Sequence, residues 1–171
     1  MPNTYQLIAS STVGSGGAAN IEFTSIPSTY TDLCIKTSLR ASDSANNWYL
    51  AQVTFNNDTT SGNYSARLAG AFGTSPYVST TSYYSGYIPS GARTASTFGN
   101  NEIYIPDYAG SNQKTISTDS VTEGNGSSYE ILGLWAGRWT GTAAITSIKI
   151  ASDTGNLAQY STAYLYGVKN A

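Results

Sequence analysis

Histidine is absent from the 171 residues and cysteine occurs once. Without histidine the chain has no ordinary general base near neutral pH, no Ser-His-Asp or Cys-His triad, and none of the commonest zinc ligand. The lone Cys34 excludes an intrachain disulfide, a CxxC redox pair and a Cys-rich metal site. Set between Leu33 and Ile35, it reads as a small buried hydrophobe on a strand. Charge is scarce too. Eight basic and ten acidic residues make up 11% of the chain, less than half the usual share. A net charge of −2 and a pI near 4.9 leave no electrostatic footprint for nucleic acid or an anionic membrane. No apolar run approaches the ~20 residues of a membrane span. The opening MPNTYQLIASS has neither the basic region nor the unbroken apolar run of a secretory signal. Helix formers are few, with nine Leu, four Lys and four Glu, and no apolar pattern of helical period is sustained. The glycine-rich stretch from Val13 to Gly17 precedes neither a Gly-Lys-Ser/Thr nor a helix pattern, so it reads as a turn rather than a phosphate cradle.

What fills the chain is 24 Ser, 22 Thr, 17 Gly and 14 Tyr. With 40% hydrophobic and 12% aromatic residues, it holds enough apolar surface to fold. Short β-branched and aromatic runs recur between Gly, Asn, Asp, Ser and Pro. Strands are predicted at Ala19–Ser25, Leu33–Arg40, Trp48–Phe55, from Tyr64 past Leu68, at Glu102–Ile105, Lys114–Val121 and Tyr129–Trp135, around Ile145–Ile150, and at Ala163–Val168. A turn is expected around Gly137 to Gly141. Gly70 to Gly99 is less regular, and holds either one or two strands or a long surface excursion. Nine to ten short strands without helical crossovers predict an all-β fold: a single antiparallel β-sandwich domain, jelly-roll-like, spanning 1–171.

No residue recommends itself for catalysis, a cofactor or a metal. The sequons at Asn57, Asn63 and Asn125 occur at chance frequency for thirteen Asn in so Ser/Thr-rich a chain. Asp153–Asn156 and Asn56–Asp58 cluster oxygen side chains, yet each offers one carboxylate where calcium takes about six to eight oxygens, and turn chemistry accounts for both. No two of the ten acids are brought together by sequence as a glycosidase pair would be. The aromatics are more suggestive. Tyr83, Tyr84, Tyr87, Arg138 and Trp139 lie in irregular segments, where large rings with a polar tip suit a partly wet contact. They read as sandwich-edge packing, as subunit contacts or as glycan contacts.

Four segments carry a resemblance: Phe23–Leu33, Ala95–Gly110, Gly133–Ala136 with Thr142–Ile148, and Gly155–Val168. In order and spacing they resemble small β-rich structural proteins of tailed bacteriophages, and the outer β domains of some phage tail fibres. The resemblance covers nearly the whole chain and consists of strand-and-turn phrases, so it transfers no functional residue. Gly137–Gly141 and residues 70–92 depart from the pattern. What it implies is a non-enzymatic virion structural protein on the outer surface of the particle, foremost a capsid decoration or cement protein. Such a protein is expected to form a homo-oligomer, a trimer first, and to contact other virion proteins such as the major capsid or tail proteins. The alternative is a tail-fibre or receptor-binding module for a host surface glycan; a polysaccharide-degrading enzyme is a third.

Overall fold

The computed structural model describes residues 4–72, 75–81, 84–122 and 130–169. Twelve strands are present among them: β1 (Tyr5–Thr12), β2 (Asn20–Phe23), β3 (Asp32–Leu39), β4 (Trp48–Phe55), β5 (Tyr64–Phe72), β6 (Ser75–Thr81), β7 (Tyr84–Pro89), β8 (Gly99–Ile105), β9 (Lys114–Thr122), β10 (Ile131–Trp139), β11 (Ile148–Ser152) and β12 (Thr162–Val168). The one helical element among the described residues is a 3₁₀ turn at Ser61–Asn63. All pairings are antiparallel, and they make two sheets. One has eight strands in the order β1-β12-β3-β8-β9-β10-β5-β6; the other has four, β2-β11-β4-β7.

The all-β, antiparallel, sandwich-like expectation holds, but the strand count was short. β1 was missed because YQLIASST breaks its alternation at a bulge between Leu7 and Ala9. The region from Gly70 to Gly99 is not an excursion: it completes β5 and carries β6 and β7. The expected turn at Gly137 is also corrected, since β10 runs on to Trp139.

Setting aside two hairpins, β5–β6 and β9–β10, leaves β1-β12-β3-β8 facing β2-β11-β4-β7. Each connection in that eight-strand frame changes sheet except the one from β4 to β7. The hairpins join each other through β5 and β10, in register from Ile131↔Phe72 to Trp139↔Tyr64, and so extend the larger sheet beyond β8.

Two cores result. The main one lies between the facing sheets and includes Ile21, Phe23, Leu33, Ile35, Val53, Phe55, Ile103, Ile148, Ile150 and Leu165. A smaller one under the extension joins Ala66, Leu68, Ile131 and Trp135 to Tyr87, with Trp48 and Leu50 packed against it. β4 serves both. Tyr49, Ala51, Val53 and Phe55 enter the main core, while Trp48 and Leu50 on its other face meet the smaller one. β7 does the same through Ile88 and Tyr87.

β7 is also the edge of the four-stranded sheet, and that edge is packed against β8 and β9. A buried strand edge needs partners for its backbone groups. The inner face of β9 carries three buried hydroxyl residues, Thr118, Ser120 and Thr122, of which Ser120 partners β7. The Tyr87 backbone N–H donates to Ser120 Oγ at 2.8 Å. Ser85, Thr118 and Trp135 border a cavity of about 20 Å³ between the sheets, the size of one water site. At Gly86 the approach is closest: φ is +144°, and a Cβ there would sit 2.0 Å from Asn101 Oδ1.

Two buried cations are satisfied without a carboxylate. The Arg40 guanidinium donates to the carbonyls of Thr94 (2.8 Å), Thr97 (3.0 Å), Gly91 (3.2 Å) and Arg93 (2.7 Å), pinning the loop between β7 and β8 to the end of β3. Lys114 Nζ donates to the carbonyls of Gly110 (2.6 Å) and Asn112 (2.5 Å). Burial pushes both pKa values down.

Gly86→Ala is expected to destabilise the fold by about 3 kcal/mol or more, because it adds a backbone conformation that L side chains avoid to a clash with Asn101. Urea unfolding checks this; a near-neutral effect would contradict the close packing of β7.

Candidate interaction surface

The side chains proposed from sequence separate into different places. Tyr83 lies outside the described residues. Tyr84 opens β7, and its side chain lies outside them as well. Tyr87 and Trp139 are corrected: both are core residues, 4% and 3% exposed, not surface contacts. Tyr87 makes an edge contact with Trp48 and packs on Trp135, each at a ring separation of 5.0 Å. Trp139 packs on Phe55 and Tyr64, and its indole N–H donates to Asp58 Oδ2 at 2.8 Å. That hydrogen bond lets the polar edge of the ring be buried. The missed signal was period two. Ile131, Gly133, Trp135, Gly137 and Trp139 occupy alternate positions of β10, and a Cβ at Gly133 would lie 2.2 Å from the Trp135 ring. Gly133 makes room for Trp135 on this inward face, and Gly137 lies against Ile116. Arg138, by the same alternation, is exposed on the opposite face.

That opposite face, the outer side of the eight-stranded sheet, is where apolar side chains meet solvent. Seven large hydrophobics are exposed among the described residues: Tyr5, Leu7, Val121, Leu132, Leu134, Tyr160 and Tyr164. Six of them, all but Tyr160, stand on strands of this sheet. Leu7 pairs with Tyr166 across β1 and β12, Tyr5 touches the Tyr166 ring at 6.4 Å, and Tyr164 lies two residues along on the same face. Towards the other edge, Leu132 pairs with Val121, and Leu134 is its neighbour along β10. Between these patches the face is polar. Lys36 and Glu102 form an ion pair at 2.9 Å, with both side chains about half exposed, a geometry that contributes little to stability. Cys34 also points to this side but is fully buried between Tyr166 and Tyr104 on the neighbouring strands. Burial pushes its thiol up to about 11, which suppresses the thiolate.

A groove of about 510 Å³ crosses the same face where β5, β9 and β10 lie side by side. Its walls carry the hydroxyls of Ser65, Thr115, Ser117 and Tyr104, the apolar Pro106 and Ala136, and two arginines, Arg67 and Arg138; among the described residues no carboxylate lines it. Tyr104 is held in place because its hydroxyl donates to Asp32 Oδ2 at 2.6 Å, and that bond pushes its pKa up to about 12.

The segments weighed as calcium loops are engaged otherwise. Asn56 Oδ1 accepts the Thr146 N–H at 2.8 Å, and Asn56 Nδ2 donates to the Ala144 carbonyl at 2.8 Å. Asp153 Oδ1 accepts the Leu50 N–H at 3.0 Å, and burial raises its pKa. Among the described residues no three His, Cys, Asp or Glu side chains are grouped to hold a metal, and no helix is long and apolar enough to cross a membrane. No protein-family model matches the chain, and no curated protein matches it in sequence.

Asp58 links this end of β10 to pH. The Trp139 indole N–H, the Asn63 amide and the Thr60 backbone N–H hold its carboxyl at about 2, below its ordinary 3.8. A depressed folded-state pKa adds stability that is complete above the unfolded value and is lost as pH falls towards the folded one. Acid unfolding is therefore expected to steepen between about pH 4 and pH 2, and Trp139→Phe should flatten that limb while lowering stability above it. Unfolding curves across this range check it; equal slopes in the two proteins would contradict the assignment.

Proposed function

We propose that the chain is a non-enzymatic structural protein of a tailed-phage particle, most simply a decoration or cement protein on the capsid, associating through the outer face of the eight-stranded sheet. The observation that carries this reading is that six of the seven large hydrophobics exposed among the described residues stand on that one sheet. Contiguous exposed apolar side chains with a polar surround mark association surfaces. The resemblance in strand-and-turn phrasing supplies the particle, and the fold adds an analogy. The frame β1-β12-β3-β8 over β2-β11-β4-β7 reads as a jelly roll, an architecture shared by many capsid and lectin domains.

The physical demands of that role agree with the molecule's economy. A component present in many symmetric copies needs a rigid fold that does not depend on redox state, and contacts that are weakly salt-dependent. Cys34 is buried, and the charged groups of Arg40, Lys114 and Asp58 are hydrogen-bonded within the fold. A trimer would place the apolar patches of neighbouring copies, or of the capsid lattice, against one another.

Cryo-electron microscopy of purified particles is expected to show density for this sandwich on the capsid exterior. Leu132→Ser with Leu134→Ser is expected to leave the melting temperature nearly unchanged. It should weaken incorporation into particles by about tenfold or more, since each buried leucine is worth about 1.5–3 kcal/mol. Absence of the protein from purified virions would overturn the reading; undiminished incorporation of the variant would overturn the assigned face.

A further inference from the structure

Three buried polar side chains converge from three strands without bonding to one another. Thr118 on β9 and Trp135 on β10 are direct partners in register, and both face inwards. Ser85 on β7 comes from the opposing sheet. Each of the three residues is more than nine-tenths buried. Thr118 Oγ1, Trp135 Nε1 and Ser85 Oγ have no hydrogen-bond partner among the described residues. A buried polar group left dry is a standing cost, and native interiors carry few of them. All three residues border the same cavity of about 20 Å³, whose other walls include Val53, Phe55 and Ala66.

We propose that this cavity is a binding site for one internal water molecule, hydrogen-bonded to Trp135, Thr118 and Ser85 and so joining β7 to β9 and β10. The chemistry of the three groups selects the ligand. An indole N–H only donates, so the bound atom must accept a hydrogen bond, which neither a metal ion nor an ammonium does. The volume takes one water and nothing larger. A halide accepts hydrogen bonds too, but here it would lose its hydration among apolar walls. The one charged residue bordering the cavity among the described residues, Arg138, is exposed on the outer face. Water accepts from the indole and exchanges bonds with both hydroxyls, giving the three partners that buried waters typically keep. Gly137 provides the room. It borders the cavity two residues beyond Trp135 on the same inward face, and a Cβ there would find its nearest neighbours in Ile116, at 3.4 Å or more. Two residues along β9, Ser120 reaches β7 directly; at Thr118 the same link runs through the water. The site is interior, so the proposal stands whether or not the chain belongs to a particle.

Water–protein Overhauser measurements on the isotopically labelled full chain test it first, because three tryptophans give only three indole N–H signals to assign. The Trp135 indole proton is expected to show a cross-peak to water of the sign that marks a molecule held for as long as the protein tumbles. Thr118→Val then gives a test by direction, since it keeps the shape of the side chain and removes its hydroxyl. With water in the site, the substitution should lower the folding equilibrium constant by about tenfold. Around a dry cavity it would remove an orphaned group and leave that constant unchanged or raised. Ser85→Ala should be at least about threefold less damaging in the Thr118→Val background than alone, because the two hydroxyls share one ligand. No Trp135 cross-peak, an unchanged or raised constant in Thr118→Val, or strict additivity of the two substitutions would overturn the proposal. A bromide ion found in the cavity of crystals soaked in bromide would also overturn it, making this an anion site.

Discussion

A strand edge placed inside a protein must be paired or otherwise satisfied, and β7 is such an edge. It lies between two apolar clusters and against β8 and β9, so no further strand can pair with its open side. Side-chain oxygens on the larger sheet take that place, Ser120 receiving the Tyr87 N–H and Asn101 filling the space left by Gly86. A serine at position 120, on the inner face of β9, follows from this requirement. The second core lies beside it, where the extension formed by β9, β10, β5 and β6 packs over Tyr87 and Trp48.

The same economy governs charge. Arg40 and Lys114 are buried and solvated by backbone carbonyls, and the Asp58 carboxylate accepts N–H donors. These groups tie loops to strands and leave the outer face of the eight-stranded sheet with few ions, two apolar patches and one cationic groove. Rigidity within and weakly charged adhesion without are complementary outcomes of where the polar groups were spent. The proposed structural role draws on both.

How far the sequence disclosed this depended on how local the cause was. β3 and β4 were legible because Leu33–Leu39 and Tyr49–Phe55 alternate cleanly against a core. Trp48 and Leu50 were not legible as core, because the cluster they pack against, which includes Tyr87, Ile131 and Trp135, is drawn from far along the chain. Tyr87 and Trp139 looked like surface aromatics for the same reason, although the Gly-x-Trp alternation of β10 held the clue. Arg138 was singled out from sequence, but its neighbour Arg67 was not, since only the β5–β10 register brings them to one face. Long-range pairing, not composition, built both the second core and the groove.

The central claim is that the Ser120 hydroxyl of β9 satisfies the Tyr87 N–H on the open side of β7. Ser120→Ala tests it most directly, because it removes one oxygen with almost no change in volume, and Ser117→Ala on the outer face of the same strand is its control. The account requires Ser120→Ala to cost about 1–3 kcal/mol in urea unfolding, with faster amide exchange at Tyr87, and Ser117→Ala to be nearly neutral. Equal, negligible effects at both positions would contradict it.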